Sequence, residues 1–427
     1  MPTADLADLA DPFAELAAPG GLPVHLHRTT AFKSVLVQWV AECPLDEGVA
    51  ARALLPDLLT RATRRHPGLA ALSARCEELF GTDLLATASA FGDRQLLRIG
   101  LQTVADRWAG RPLFREAVDL LADVLHDPPL VNGCFRADHV EQERSNLVHA
   151  IESLDDDKHL YAYRRMIEAL HEGTPFARHA WGSRDEARAL TEQKVREAWV
   201  AVARRAPARL FVVGDVSEAD ALWAAGRLAA GPREPLGGPV VPPPIGDRAP
   251  RSLREVQPLA QSKLAIGYRL ATAGLPGSAA LLLGLVLGGD SFSRLFKRVR
   301  EAEGLAYGCS AAVSVETGTL VVQAGIDADK AARVSELVAG ELASLARDGV
   351  RDDELDLARR ALLRRLADLR DSPRALCAFR HAALLAGRPH ELAQAEAAVR
   401  RSTASEVAAV ARDARLDTTF LLEGRPA

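Results

Sequence analysis

The segment FKRVREAEGLAYGCSA, Phe296–Ala311, joins a charged helical pattern to a strand of small residues through a glycine turn. A helix-to-strand connection needs only the glycine, which readily adopts the left-handed backbone at a helix end. This segment also places Arg300 before the turn and Tyr307 after it. On spacing alone, the simpler interpretation is a surface arginine on the helix and a tyrosine packed on the sheet.

The composition excludes several classes of protein. With 427 residues, the chain exceeds a typical domain of about 100–200 residues, so two or more domains are expected. The net charge of −4 implies no basic surface for nucleic acid. The cysteines are dispersed and form no CxxC, which favours a reducing compartment. The acidic N-terminus does not resemble a signal peptide, and the longest apolar run, Ala279–Leu287, is too short for a bilayer. We therefore expect a cytoplasmic protein that binds neither nucleic acid nor membrane.

A segment rich in proline and glycine, residues 231–258, divides the chain. Such a composition cannot sustain a helix or a central strand. The sequence therefore predicts an N-terminal domain over residues 1–230, a linker over 231–258 and a C-terminal domain over 259–427.

The two halves repeat one pattern. Each begins with an apolar strand, at Ser34–Glu42 and Lys263–Ala271, and ends with another, at Ala208–Val216 and Thr418–Arg425. Between them lie an Ala/Leu-rich helix, a charged helix, a glycine turn, a strand pair and further helices with apolar residues at i, i+3/i+4 spacing. This repetition predicts an α+β fold of two homologous domains, each a mostly antiparallel sheet packed with helices.

The histidines form no familiar metal motif. None of the 11 belongs to an HxxxH, HxxEH or HxxH sequence. His25 and His27 share one face of a predicted strand, but no carboxylate lies beside them at ligand spacing. A structural or surface role is the favoured interpretation of this pair.

The paired halves and the segment SFSRLFKRVREAEGLAYGCSAAV, residues 291–313, resemble the pitrilysin–insulinase superfamily of zinc peptidases along nearly the whole chain. Residues 51–84 and 135–170 are similar to half-length bacterial members that lack the zinc motif. The resemblance implies that the two domains form half of a clamshell. It also implies that Arg300 and Tyr307 help to bind substrate and stabilise the reacting carbonyl, a role that suits a guanidinium and a phenol.

The HxxEH zinc motif of that family is absent from the first helix. Its three positions hold Ala51, Leu54 and Leu55 in one register, or Ala53, Pro56 and Asp57 in the other. Neither register supplies two histidines and a glutamate. Without these ligands, zinc has no tetrahedral site and no water is activated, so the chain is not expected to hydrolyse peptides alone.

The family's third zinc ligand is a glutamate seven residues after another glutamate. With Glu143 as the first, the ligand position is Ala150. Glu152 lies two residues further on and so on another face of the helix. Ala150 therefore joins Ala53, Pro56 and Asp57 as a degenerate metal position, and we expect this chain to bind no zinc.

The resemblance implies a non-catalytic subunit of a heterodimeric zinc peptidase, whose partner is a half-length chain bearing HxxEH and the zinc. This chain would close the chamber, supply Arg300 and Tyr307, and offer residues 310–326 as a sheet edge to an extended peptide. One alternative is a structural or peptide-binding homodimer of the same fold without a peptidase role. Another is a zinc peptidase with unusual ligands drawn from His25, His27 or Glu152.

Overall fold

The computed structural model describes residues 13–18, 21–245, 248–271 and 276–425. They form two compact units, each drawn from separate parts of the chain. Unit 1 contains the described residues up to Glu152, with Arg178–Pro239 and Leu369–Glu391. Unit 2 contains Ser153–Ala177, Val240–Asp368 and the described residues from Leu392 onward. Among the helices of these residues, none has the length and apolar character that crossing a bilayer requires.

Unit 1 contains a six-stranded sheet in the order β1-β2-β8-β3-β5-β4, with β2 and β8 parallel and the other pairs antiparallel. A separate hairpin is formed by β6 and β7. The strands of this unit are β1 (Ala14–Leu16), β2 (Val24–Arg28), β3 (Ser34–Pro44), β4 (Asp83–Phe91), β5 (Arg94–Val104), β6 (Leu130–Val131), β7 (Cys134–Phe135) and β8 (Ala208–Gly214).

Unit 2 contains a five-stranded sheet in the order β11-β12-β10-β13-β9, with β9 and β13 parallel and the other pairs antiparallel. Its strands are β9 (Arg251–Pro258), β10 (Ser262–Arg269), β11 (Ala306–Ser314), β12 (Thr319–Ile326) and β13 (Arg415–Arg425).

The strand orders confirm the predicted duplication. Without β1, the first sheet reads β2-β8-β3-β5-β4, and the second reads β9-β13-β10-β12-β11, with the parallel pair at the same end. The four strands predicted to begin and end the halves correspond to β3, β8, β10 and β13. The fold is therefore α+β, with two sheets of matching topology.

Helices cover both sheets. The first part of the chain contains α1 (Val49–Ala53), α2 (Leu55–Leu59), α3 (Leu69–Glu78), α4 (Asp106–Ala109), α5 (Phe114–His126), α6 (Ala137–Ser153), α7 (Lys158–Leu170), α8 (Arg184–Arg188), α9 (Glu192–Arg204) and α10 (Glu218–Leu228). The second part contains α11 (Gly277–Gly288), α12 (Ala331–Asp348), α13 (Asp352–Asp368), α14 (Pro373–Leu385), α15 (Leu392–Arg401) and α16 (Ala404–Asp413). A π-helix spans Phe296–Ala302, and short 3₁₀ turns span Pro175–Ala177, Ala328–Lys330 and Leu369–Asp371.

The division into units differs from the predicted contiguous domains. Helix α7 belongs to unit 2 and helix α14 to unit 1, so each unit includes a helix from the other half of the sequence. In unit 2, Met166 and Leu170 of α7 pack with Phe420 and Leu422. Side chains alternate between the faces of a strand, so α7 covers the sheet face opposite to the main core. Sequence periodicity indicates which face of a helix is apolar, but not which sheet that face covers. The predicted division into contiguous domains therefore grouped α7 and α14 with the other unit.

Within unit 1, helix α14 packs against β3 and β8, and polar and charged groups form part of this contact. Glu42 of β3 is 4 % exposed, and its carboxylate accepts hydrogen bonds from His381 at 3.1 Å, Arg209 at 2.8 Å and Arg94 at 3.2 Å. Burial alone would raise the pKa of Glu42, but hydrogen bonds and charge from His381 and Arg209 lower it to about 2. Burial lowers the pKa of His381, and the Glu42 carboxylate, which can only accept, takes a hydrogen bond from the His381 Nε2–H.

Three local predictions also need correction. The predicted linker is not wholly irregular, because residues 251–258 form β9 at the outer edge of its sheet, a position that tolerates Pro258. The first Ala/Leu-rich helix is broken into α1 and α2 at Leu54, just before Pro56, which lacks a backbone N–H. The charged helix before Gly304 is a π-helix rather than an α-helix.

Candidate functional site

A cavity of about 390 Å³ in unit 1 collects the degenerate metal positions of one register. Its lining includes Ala53, Pro56, Asp57 and Ala150, together with Glu143. The alternative register does not line this cavity: its residues Ala51, Leu54 and Leu55 are buried in the hydrophobic core. The structure thus brings α2, the end of α1 and the middle of α6 together as the family pattern anticipates. The assignment of these positions as former metal ligands stays a prediction.

The two carboxylates in this cavity have different surroundings. Glu143 is buried, forms an ion pair with Arg61 and accepts a hydrogen bond from the Asn146 amide at 2.8 Å. Asp57 lines the cavity while remaining exposed overall. Removal of part of its solvation by the cavity wall, and then the charge of Glu143, raise the pKa of Asp57.

Zinc does not fit these residues. The side chains of Ala53, Pro56 and Ala150 carry no donor atom, and Glu143 is already bound by Arg61 and Asn146. Zinc in proteins takes three or four nitrogen, sulfur or oxygen ligands. Across the described part of the chain, no group of three or more His, Cys, Asp or Glu side chains is placed to hold a metal ion.

The unusual ligands considered above lie in other settings. His25 is buried in β2, stacked on Phe211 with ring centroids 4.9 Å apart, and its Nδ1 is 3.9 Å from Glu15. Burial and the nearby Arg380 charge lower its pKa to about 3. His27 is also buried in β2. Glu152 forms an ion pair with Arg188 at 2.9 Å. Neither histidine, nor Glu152, belongs to a metal-binding group within the residues that the structure describes.

The arginine of the Arg…Tyr segment lies on the π-helix. The Glu303 N–H donates to the Arg298 carbonyl at 3.2 Å, five residues earlier, and Gly304 follows with φ +60°. Such i→i+5 segments are rare and frequently lie at functional sites. Arg300 is exposed, and its guanidinium carbon lies 4.8 Å from the centroid of the Phe296 ring.

Tyr307 occupies a β-bulge on an edge strand. The register between β11 and β12 shifts between Ala306 and Gly308, which leaves Tyr307 as the extra residue. A bulge on an edge strand redirects a side chain. Tyr307 is 85 % exposed, so it does not pack on the sheet as the simpler sequence interpretation required.

Tyr307 and Phe296 line a second cavity, of about 510 Å³, in unit 2. Arg300 does not line this cavity, but its guanidinium contacts the ring of Phe296, which does. The structure therefore brings Arg300 and Tyr307 to the same region, although it does not place both in the cavity wall. The remaining wall includes His159, Gln261, Gly288–Ser291, Gly308–Ser310, Gln323 and Gly325. Sequence reasoning missed His159 and Gln261 because they come from segments distant from the Arg…Tyr segment.

The sheet edges beside the two cavities are less protected than the opposite edges. The edge strand β9 carries Arg251, Arg254, Glu255 and Pro258, and the edge strand β1 has three residues. Charges, prolines and shortness all discourage the pairing of an edge with another strand. In contrast, β11 has no charged residue or proline, and β4 has a single charge, at its first residue. Of the predicted edge at residues 310–326, only the part within β11 lies at an edge, because β12 pairs on both sides.

Comparisons with known proteins agree with this architecture. A family profile described as "Peptidase M16 inactive domain" matches residues 189–362. An uncharacterized zinc protease of Mycobacterium bovis is 30% identical over 423 residues, which is 94% of this chain and 92% of the relative. The probable inactive metalloprotease YmfF of Bacillus subtilis is 26% identical over 412 residues, which is 95% of this chain and 96% of the relative.

Solved structures share the fold. A conserved protein from Enterococcus faecalis superposes with a TM-score of 0.90 at 24% identity, over 98% of this chain and 100% of that chain. An M16 inactive domain from Pseudomonas fluorescens gives a TM-score of 0.79 at 18% identity, over 97% of this chain and 99% of that chain. The periplasmic protease PqqL from Escherichia coli gives a TM-score of 0.71 at 16% identity, over 99% of this chain but 48% of that chain.

Proposed function

The chain belongs to the M16 peptidase family, the pitrilysin–insulinase family, as a half-length member without the zinc motif, and we propose that it is the non-catalytic subunit of a heterodimeric zinc peptidase. Its partner is a half-length chain that carries HxxEH and the zinc ion. The chain contributes substrate-binding groups to that partner's site and is inactive alone.

The observation that carries this proposal is the contrast between the two cavities. Among the described residues, the cavity of unit 1 has no set of ligands that zinc needs. In unit 2, Tyr307 keeps a bulged, 85 % exposed position beside an uncharged edge strand. A phenol with no partner role would be expected to pack its ring away from water, since burial of an aromatic ring is favourable. The exposed Tyr307 is therefore suited to a ligand from outside the chain.

The proposed role of unit 2 is to hold an extended peptide and to donate hydrogen bonds to its carbonyl. The open edge of β11 pairs with the peptide backbone, whatever its side chains. The Tyr307 hydroxyl and the Arg300 guanidinium then donate to the carbonyl oxygen on which negative charge develops. When bound in the partner, zinc polarises that carbonyl and activates the attacking water.

The length of PqqL is consistent with pairing. This chain spans 48% of that protease, so PqqL has room for two regions of this size in one polypeptide. A half-length chain would obtain its second half from a separate subunit. We propose the cytoplasm as the location, because all five cysteines are free, as is usual in a reducing compartment.

The test is to purify the chain from its native cells with any stoichiometric partner, and to measure peptidase kinetics of the complex. We expect Tyr307→Phe to lower kcat/KM by about 10² and Arg300→Ala to lower it similarly, because each removes a donor to the developing oxyanion. The complex should remain associated. Tyr163→Phe and Arg298→Ala are matched controls, and neither residue lines the cavity.

Unchanged kinetics in both Tyr307→Phe and Arg300→Ala would remove these residues from the site. Recovery of the chain only with itself would instead favour the structural or peptide-binding homodimer.

A further inference from the structure

Phe296 links Arg300 to the cavity of unit 2. Its side chain lines that cavity together with Tyr307, and the Arg300 guanidinium carbon lies 4.8 Å from the centroid of the same ring. Both residues lie on the π-helix, four positions apart, a separation at which side chains on a helix surface are neighbours. Arg300 does not line the cavity, so the Phe296 ring is the contact that relates its guanidinium to the cavity wall.

No carboxylate forms an ion pair with Arg300 among the residues that the structure describes. Glu303, which follows the π-helix, is bound by Arg298 at 3.4 Å and by Arg333 at 2.8 Å. Arg300 is exposed, and a long exposed side chain keeps many rotamers unless a contact restrains it. The Phe296 ring supplies such a contact.

An aromatic ring suits this task better than a carboxylate. Cations are attracted to the face of an aromatic ring, and arginine stacks its planar guanidinium there. Stacking uses the face of the guanidinium and leaves the N–H groups at its edge free to donate. A carboxylate would hold the same side chain, but it would occupy those N–H groups and neutralise the charge. The observed contact therefore restrains Arg300 and keeps it able to bind an oxygen atom.

The π-helix itself is anchored to unit 2. Leu295 and Val299 are fully buried in the core of that unit, and each directly precedes one member of the stacked pair. The Leu305 N–H donates to the Val299 carbonyl at 2.9 Å, which ties the following turn to the helix. Because the core side of the helix is fixed in this way, Phe296 and Arg300 are held together on the adjacent, more exposed face.

We propose that Phe296 is a positioning residue for Arg300, whose ring holds the guanidinium at the border of the cavity of unit 2. There the guanidinium donates to the substrate carbonyl. This inference rests on the subunit role proposed above and adds a residue to which that role gave no part. If it is correct, loss of the ring affects turnover only through Arg300.

The first test is a double-mutant cycle in the complex of this chain with its partner. The probe is an internally quenched fluorescent peptide, chosen from a mixed-sequence library because the wild-type complex cleaves it. We expect Phe296→Leu to lower kcat about fivefold with little change in KM, as the loss of a cation–π contact predicts. In the Arg300→Ala background, Phe296→Leu should have no further effect. Phe296→Tyr keeps an aromatic ring and should retain wild-type kinetics.

The second test measures whether the ring covers Arg300 in the purified chain alone. Phenylglyoxal modifies accessible guanidinium groups, and mass spectrometry of proteolytic peptides gives the rate at each arginine. We expect Phe296→Leu to raise the rate at Arg300 about threefold, because the stacked ring no longer shields one face of the guanidinium. Arg364, an exposed residue of α13, is the internal reference and should react at an unchanged rate.

Phe80→Leu is the matched control. Phe80 is also exposed, has the Arg111 guanidinium carbon 5.5 Å from its ring centroid, and lines neither cavity. Its replacement removes a similar contact elsewhere and should leave turnover of the complex unchanged.

Three results would overturn the proposal. An equal effect of Phe296→Leu with and without Arg300, or an effect on KM alone, would assign the ring to direct contact with the substrate. An unchanged modification rate at Arg300 would show that the ring does not hold the guanidinium, and the subunit role would still stand. Unchanged kinetics in Arg300→Ala would instead remove Arg300 from turnover, and Phe296 with it, even where the modification rates confirm the stacking.

Discussion

Glu42 shows how one buried carboxylate can hold a helix from a distant part of the sequence. Three donors surround it, and two of them, Arg209 and Arg94, are cationic. The third donor, His381, lies on α14. Loss of the carboxylate charge would leave both guanidinium groups without their buried partner.

We predict that Glu42→Gln lowers the free energy of unfolding at pH 7 by about 3 kcal/mol, because removal of one partner leaves buried charge uncompensated. The pKa of Glu42 is about 2 in the folded chain, against an ordinary value of 4.5. The folded pKa is depressed, so the stabilisation is present above pH 4.5 and is lost as the pH falls through 2. The difference between wild type and variant should therefore shrink over that interval.

Urea unfolding of both proteins at a series of pH values measures this difference. Glu47→Gln, at an exposed position, is the control and should match the wild type. A Glu42→Gln chain as stable as the wild type at pH 7 would contradict the role given to the carboxylate.

At the scale of elements, the broken helix α1–α2 presents the degenerate metal positions. Ala53 ends α1, Asp57 lies in α2, and both line the cavity with Ala150 of α6. If this register is correct, the backbone already holds the three ligand positions. Replacing Pro56 also restores the backbone N–H that the helix lacks at that point.

We predict that the variant Ala53→His, Pro56→Glu, Asp57→His and Ala150→Glu binds one zinc ion per chain, since it supplies two imidazoles and a carboxylate. Metal analysis after dialysis and calorimetry measure the binding. The same variant without Ala150→Glu should bind zinc more weakly, because it lacks the third ligand. Absence of zinc from the fourfold variant, with the fold intact, would count against this register.

The elements that the sequence predicted well are those with a strong pattern. Strands β3 and β10 are nearly continuous apolar runs and were placed within two residues of their ends. The π-helix was missed because its i→i+5 hydrogen bonds leave no characteristic spacing of apolar residues. The bulge at Tyr307 was missed because it depends on the register against β12, which is not visible in β11 alone.

The site was predictable only in part for the same reason. The family resemblance implied Arg300, Tyr307 and the degenerate positions. It could not give Phe296, Thr87 or Trp181 as cavity walls, because contacts between distant segments are set by packing.

At the scale of the whole molecule, each compact unit depends on a helix from the other half of the chain. A fragment of residues 1–230 lacks α14 and so leaves Glu42 without His381. A fragment of residues 259–427 lacks α7 and so exposes the apolar side chains of Phe420 and Leu422. Neither contiguous half contains a complete unit.

We predict that each fragment alone lacks a cooperative thermal transition, and that mixing the two restores one. Circular dichroism during heating measures the transition. Residues 1–230 joined to residues 369–391 by a flexible linker should unfold more cooperatively than residues 1–230, because the missing helix is returned. A cooperative transition in unmodified residues 1–230 would show that α14 is dispensable.

Because α14 lies late in the sequence but belongs to unit 1, unit 1 can be completed only late in protein synthesis. The last segment of unit 1 ends at Glu391. This is about 150 residues after Pro239, where the preceding segment of unit 1 ends. At about 5–20 residues per second, the ribosome needs roughly 8–30 s to add them. Throughout that interval, α14 does not yet cover the sheet of unit 1 in the nascent chain. We expect this surface to need protection, for example by a chaperone bound near the ribosome, until translation is almost finished.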